Sequence, residues 1–304
     1  MSQVPFYTVD AFTSSAFKGN GAAVCIFKED PEDRVKQLLS REFNLSETAF
    51  PQPLKGNDFQ TASEFSLRWF TPTNEVPLCG HATLATAHVI FNEIGNKNKE
   101  IHFDTLTGRL TVGKAEDGRL KMNFPQYEIR SLKSSFGHFN QFETLEDDSF
   151  VAVAEKLAKT LVGDNAKITG LAFAPKAMKL IVVLDPKTTR EQYMKVKADG
   201  AKLLEIDNGQ HVRGIILTLT PAESSGFDPE NDFVLRYFAP WNGIDEDPAT
   251  GSAQCGISPF WAKILNKSHF KAFQMFPNRG ADLETELDDK NNRINIFGRA
   301  YHHF

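Results

Sequence analysis

Cysteine is scarce in the 304 residues: Cys25, Cys79 and Cys255 are an odd number at wide spacing, which builds neither a disulfide framework nor a zinc motif and suits a reducing compartment. There is no Lys/Arg run, and 34 basic residues against 39 acidic ones leave a net charge of −5, which excludes the basic surface that a nucleic acid or an anionic membrane requires. No apolar run approaches the roughly 18 residues of a membrane span, and the start, MSQVPFYTVDAF, has no basic stretch leading into an apolar one. The expected location is cytoplasmic. No G-x-G-x-x-G follows a strand, so nicotinamide chemistry is not expected. No H-E-x-x-H is present and no metal is expected either; His302-His303 reads as an exposed tail.

Among the residues that are there, 41% are hydrophobic and 24% charged, enough apolar material for a large interior and far from a disordered composition. The length exceeds one ordinary core, so two domains are expected, 1–128 and 129–304, with the final strand able to pack back on the first half. Short β-rich segments dominate, at 5–12, 22–27, 63–70, 100–106, 179–185, 213–220 and 232–239. Residues 31–43 and 151–163 read as amphipathic helices, the first through Val35, Leu38 and Leu39. Hairpins are expected at 109–124, turning at Asp117-Gly118, and at 281–298. Ala82 to Phe91 carries no charge and has no polar face, so it predicts a helix buried on every side. The stretch after Gly251 is similar, with Pro259 kinking or dividing it.

A repeat organises the rest. FSLRWFTPTN (65–74) matches FVLRYFAPWN (233–242) at an offset of 168, with six of ten positions identical. Strand propensity alone leaves the shared Arg-aromatic-Phe-x-Pro-x-Asn order unexplained. Each copy leads through a small-residue motif, CGHAT or DPATGS, into a charge-poor helix. The predicted fold class is therefore α+β: two pseudo-symmetric duplicated domains, each a barrel-like sheet wrapped round a central helix, with a cleft between them.

Four motifs supply chemistry: KGNGAAV (18–24), NLSETAF (44–50), CGHAT (79–83) and EDPATGS (246–252). Glu47, with Leu45, Ala49 and Phe50 nearby, suits a general base whose carboxyl is raised by apolar surroundings. Asn44-Leu-Ser-Glu47 is equally readable as a capping box. His81 falls at a helix start, where the dipole favours a neutral ring able to give or take one proton. Asp247 before Pro248 is either a site carboxylate or an ordinary N-cap. Gly80, Gly251 and Ser252 place free backbone N–H groups at two helix starts, which bind carboxylates. Glu47 could then remove a proton from a carbon acid held by its carboxylate.

In order and spacing these motifs resemble the PhzF-like family of phenazine-biosynthesis isomerases, over nearly the whole chain. The resemblance implies a diaminopimelate epimerase-like fold, a cofactor-free isomerase acting on a small carboxylate, and a homodimer. It also implies Glu47 as the acid/base, His81 and Asp247 in the same cleft, and Asn20, Gly80, Gly251 and Ser252 as substrate contacts. One departure is Gly21 where the family carries proline, which removes a φ constraint from the loop presenting Asn20. The competing chemistry, a racemase with two facing thiols, lacks its second thiol: aligning Gly80 with Gly251 sets Cys79 opposite Thr250, which leaves Cys79 as a small packing residue. A non-catalytic binding protein retaining the fold is the other alternative.

Overall fold

The computed structural model describes residues 4–56 and 58–303. The first half contributes β1 (Phe6–Ala11), β2 (Asn20–Cys25), β3 (Glu47–Pro53), β4 (Glu64–Phe70), β5 (Glu75–Val76), β6 (Glu100–Thr105), β7 (Gly108–Lys114) and β8 (Leu120–Pro125). Helix α1 (Asp33–Phe43) joins β2 to β3, and α2 (Gly80–His88) lies between β5 and β6. The remainder contributes β9 (Arg130–Leu132), β10 (Ile168–Ala174), β11 (Lys179–Leu184), β12 (Gly214–Leu219), β13 (Phe233–Ala239), β14 (Ile244–Asp247), β15 (His269–Gln274), β16 (Ala281–Asp288), β17 (Arg293–Gly298) and β18 (Ala300–His302). Its helices are α3 (Asp148–Val162), α4 (Arg190–Lys195), α5 (Gly200–Ile206) and α6 (Gln254–Leu265).

The two halves repeat one pairing scheme. β2 runs parallel to β3 as β11 does to β12, and β4 is antiparallel to β3 but parallel to β6 as β13 is to β12 and β15. The meander β6–β7–β8 matches β15–β16–β17. The halves also exchange edges: β18 pairs with β1 and β17 with β8, so the last two strands of the chain lie on strands of the first half. Closing edges in this way leaves fewer open ladders.

The repeat's invariant arginine has a common role. Arg68 on β4 makes two hydrogen bonds to Glu75 on β5, each 2.7 Å, and Arg236 on β13 makes two to Glu246 on β14, 2.6 and 2.8 Å. In each half this fork fastens the hairpin that leads to the central helix. Arg236 also donates to the Tyr193 and Val196 carbonyls, at 2.7 and 2.8 Å.

Both central helices are enclosed. Every residue of α2 except His88 is buried, because its small, uncharged side chains offer no face to water. α6 runs through Pro259 without dividing: the Cys255 carbonyl, which a proline at 259 cannot serve, accepts instead from Tyr127 N at 2.8 Å. One apolar core joins the two halves around these helices, and a second lies between the outer face of the C-terminal sheet and α3 to α5.

Three local expectations differ from the structure. α1 buries Lys36 and Ser40, while Val35 and Leu38 face solvent; the Lys36 stem is covered and its ammonium pairs with Asp30 at 2.8 Å. Glu47 opens strand β3 and caps no helix; Asn44 ends α1 in the left-handed conformation, so the capping-box alternative does not apply. His302 and His303 are no tail. The first lies in β18, and His303 Nε2 is 2.7 Å from the buried Asp10 carboxylate.

Candidate active site

α2 and the short 3₁₀ turn Gly251–Ala253 that leads into α6 meet start to start. A Cβ on Gly80 would stand 2.7 Å from the Gly251 Cα, and one on Gly251 would stand 3.0 Å from the Gly80 Cα, so both positions require glycine for the approach. Gly80 and His81 at one start and Gly251 and Ser252 at the other therefore have amides with no intrahelical acceptor, grouped at one place.

Around this meeting lies a cavity of about 260 Å³, lined by Glu47, Cys79, His81, Tyr237, Asp247 and Ser252 among others. A larger cleft of about 550 Å³, walled by Arg119, Arg190, Phe227, Lys271 and Glu284, contains none of these groups. Glu47, at the first position of β3, places Oε2 3.1 Å from His81 Nε2. That oxygen is shielded from solvent yet makes no well-aligned hydrogen bond.

Asn20 ties the two halves together. Its Nδ2 donates to Asp247 Oδ1 at 2.6 Å and to the Ala249 carbonyl at 3.2 Å, which uses both of its hydrogens. Its Oδ1 accepts from Ser46 Oγ at 2.8 Å. Because the Ser46 hydrogen is spent there, His81 Nε2, 3.3 Å from Ser46 Oγ, donates to that hydroxyl, and Nδ1 lies 3.2 Å from Asn20 Nδ2 and 3.5 Å from Cys79 Sγ. Asp247 Oδ2 accepts from Thr250 Oγ1. Gln274 holds this turn by accepting from Thr250 N at 2.7 Å and donating to the Asp247 carbonyl at 2.7 Å.

The loop that lost its proline is clamped from the other half. Arg279 donates to the carbonyls of Gly19 and Lys18, at 3.0 and 2.9 Å, and to Asp10 at 2.9 Å, while Gly19 N donates to Gly280 O at 3.0 Å. Asn20 is thus positioned without a proline at 21.

Burial sets the acid–base character of the site. It pushes the Asp247 carboxyl up to about 6, with the Glu47 carboxylate adding to the rise and His81, Thr250 and Asn20 restraining it. Burial works to lower His81, but the Cys79 sulfur and the Glu47 carboxylate outweigh it and hold the ring well above the usual histidine range. The carboxylate 3.1 Å away thereby overrides the neutral ring that a helix start alone favours. Cys79 and Cys255 are pushed up by burial to about 11 and about 12, so both are thiols near neutral pH.

Glu47, Cys79 and His81 bring three donor groups within 4.8 Å of one another.

All seven residues singled out from the sequence, Asn20, Glu47, Gly80, His81, Asp247, Gly251 and Ser252, come together around the meeting of the helix starts; six line the cavity, and Asn20 stands behind it, bonded to Asp247. Cys79 also lines it, its side chain belonging to the apolar core. Ser46, Gln274 and Lys179 escaped sequence reasoning. Ser46 was visible inside the NLSET motif, whereas Gln274 and Lys179 stand at strand ends with no local signal.

Residues 9–304 match the family model described as phenazine biosynthesis-like protein, named PhzC-PhzF. The chain belongs to this family. A human phenazine biosynthesis-like domain-containing protein is 40% identical over 98% of this chain and 96% of that relative. A protein of Halalkalibacterium halodurans named an uncharacterized isomerase is 36% identical over 99% of this chain and 96% of its own length. The crystal structure of a PhzF-family protein from Enterococcus faecalis superposes with a TM-score of 0.76 at 32% identity, covering 100% of this chain and 98% of that one. A hydroxyproline epimerase from Agrobacterium vitis shares the fold, with a TM-score of 0.56 at 12% identity over 99% and 91% of the two chains. The PhzF family thus includes proteins named isomerases, and its architecture is also that of an epimerase.

Proposed function

We propose that this protein is a cofactor-independent isomerase that moves a proton on a small, carboxylate-bearing substrate, with Glu47 as the acid/base. The observation that carries the reading is Glu47 Oε2: an acceptor sheltered on the cavity wall, lacking a well-aligned hydrogen bond, and beside helix starts whose first amides have no intrahelical acceptor.

In this mechanism the substrate carboxylate docks against the amides at Gly80 and Gly251-Ser252. Glu47 takes a proton from a nearby carbon, and the C–H electron pair delocalises into the substrate toward that carboxylate. The same amides meet the charge as it develops. Glu47 then returns the proton at another carbon, so no net redox change occurs. His81 stands beside Glu47, its Nε2 3.1 Å from Oε2, while Asn20 holds Asp247 and the Ser46 side in register. A two-thiol racemase finds less support, because Thr250, facing Cys79 across the helix starts, is bonded to Asp247 and Cys255 is fully buried.

The test is solvent deuterium uptake by a panel of cyclic dienyl and amino-acid carboxylates in D₂O, read by mass spectrometry. Wild type should label at least one member and Glu47→Gln should not; equal labelling by both proteins refutes the reading.

A further inference from the structure

Lys179, the first residue of β11, is a buried lysine on the cavity wall. Its strand neighbour Gly214 has no room for a Cβ, which would lie 2.1 Å from Tyr237 Oη. The Tyr237 ring fits there and presents its face to the Lys179 ammonium, 4.9 Å from the ring centre. Lys179 Nζ donates one hydrogen to Ser252 Oγ at 3.0 Å. An ammonium carries three, and among the described residues Lys179 has no ion-pair partner. Two further cations, Lys176 and Arg213, line the same cavity from exposed positions, and neither is ion-paired among the described residues.

We propose that Lys179 is the anion anchor of this cavity and makes an ionised group on the substrate a condition of productive binding. The inference rests on reading the cavity as the substrate site, and goes beyond it in assigning the group that selects for charge. A buried cation without a counter-ion is costly, and an incoming carboxylate supplies one. A neutral ligand leaves the ammonium desolvated and unpaired, which is the stronger basis for rejection. The placement also orients the substrate: its anion lies against Lys179, Ser252 and the helix-start amides, away from the like charge of Glu47. The surroundings agree with an uncompensated amine. Burial pushes Lys179 down to about 8, with the neighbouring Cys255, Asp247 and Cys79 only partly opposing it.

The test uses benzoate and its neutral isostere benzamide, with dissociation constants from titration calorimetry at pH 7 and pH 9 for wild type, Lys179→Met and Lys179→Arg. Wild type should prefer benzoate by roughly 10- to 100-fold at pH 7, the range of a charged hydrogen bond. Lys179→Met should remove most of the preference, leaving the share supplied by the helix-start amides, and Lys179→Arg should keep most of it. Between pH 7 and 9 the preference should shrink in wild type, as the amine loses its proton while benzoate stays ionised, and should persist in the arginine variant. An undiminished preference in Lys179→Met, or benzamide binding wild type as tightly as benzoate, overturns the proposal. Glu47→Gln separates the two readings, because it should retain the benzoate preference while losing deuterium transfer. If instead transfer depends on Glu47 and the preference ignores Lys179, the anchor is wrong and the isomerase reading stands.

Discussion

Asp247 stores the clearest energetic cost among the site residues. Its native carboxyl is raised to about 6 from an ordinary 3.8, so the folded state binds the proton more tightly than the unfolded chain. The stability this contributes is complete below about pH 3.8 and is lost as pH rises through about 6, leaving a penalty at neutral pH. Replacing one accepting oxygen by an amide NH₂ in Asp247→Asn carries a pH-independent cost, but the stability of the variant relative to wild type should improve as pH rises from 4 to 7.5, because only wild type loses the bound proton over that window. Thermal melts of the two proteins at both pH values check this; a relative stability that is higher at pH 4 contradicts it. The three acid–base groups were legible in the sequence because each sits in a short motif at an element boundary. Their couplings were not. The match of Asn20 to Asp247 spans 227 residues, and no spacing rule reaches that far.

At the scale of elements, the repeat predicts a contrast. Arg236 is buried with its fork to Glu246 enclosed, whereas the equivalent Arg68 is partly open to solvent and shared with Asp33. Arg236→Met should cost about 3–5 kcal/mol, since it strands a carboxylate and two carbonyls, and Arg68→Met about 1 kcal/mol or less. Urea unfolding of both variants gives the comparison, and equal losses contradict it. Most strands and both central helices could be read from apolar periodicity and from the absence of charge. β3 could not, because Pro51 and Pro53 argue against a strand. They are tolerated because pairing with β2 stops at Ala49 and only β4 continues alongside. α1 was placed and Leu39 packs inward as expected, but Val35 and Leu38 face out and the charged Lys36 is buried by its stem, which a pattern of apolar letters cannot show.

At the scale of the molecule, the exchanged edges make the halves interdependent. A fragment of residues 1–128 would lack β17 beside β8 and β18 beside β1, and its core would lose the partners on α6. Such a fragment should remain unfolded or aggregate, shown by poor amide dispersion in NMR; a dispersed, cooperative fragment contradicts the interdependence. The duplication itself was legible from ten residues, and the return of the final strand to the first half was expected and is met by β18 on β1; the pairing of β9 with β10 was not legible, since β9 is a three-residue strand without a pattern of its own. The same arrangement brings Glu47 and His81 from one half against Asp247 and Ser252 from the other, so the proposed proton transfer requires both halves. The measurement that tests this most directly is deuterium uptake in D₂O by the carboxylate panel, run in parallel on wild type, Glu47→Gln and Cys79→Ala. Uptake should fall by roughly 10²–10⁴-fold in Glu47→Gln and stay near wild type in Cys79→Ala. Uptake that depends on Cys79 and ignores Glu47 would contradict the account and assign the proton to a thiolate.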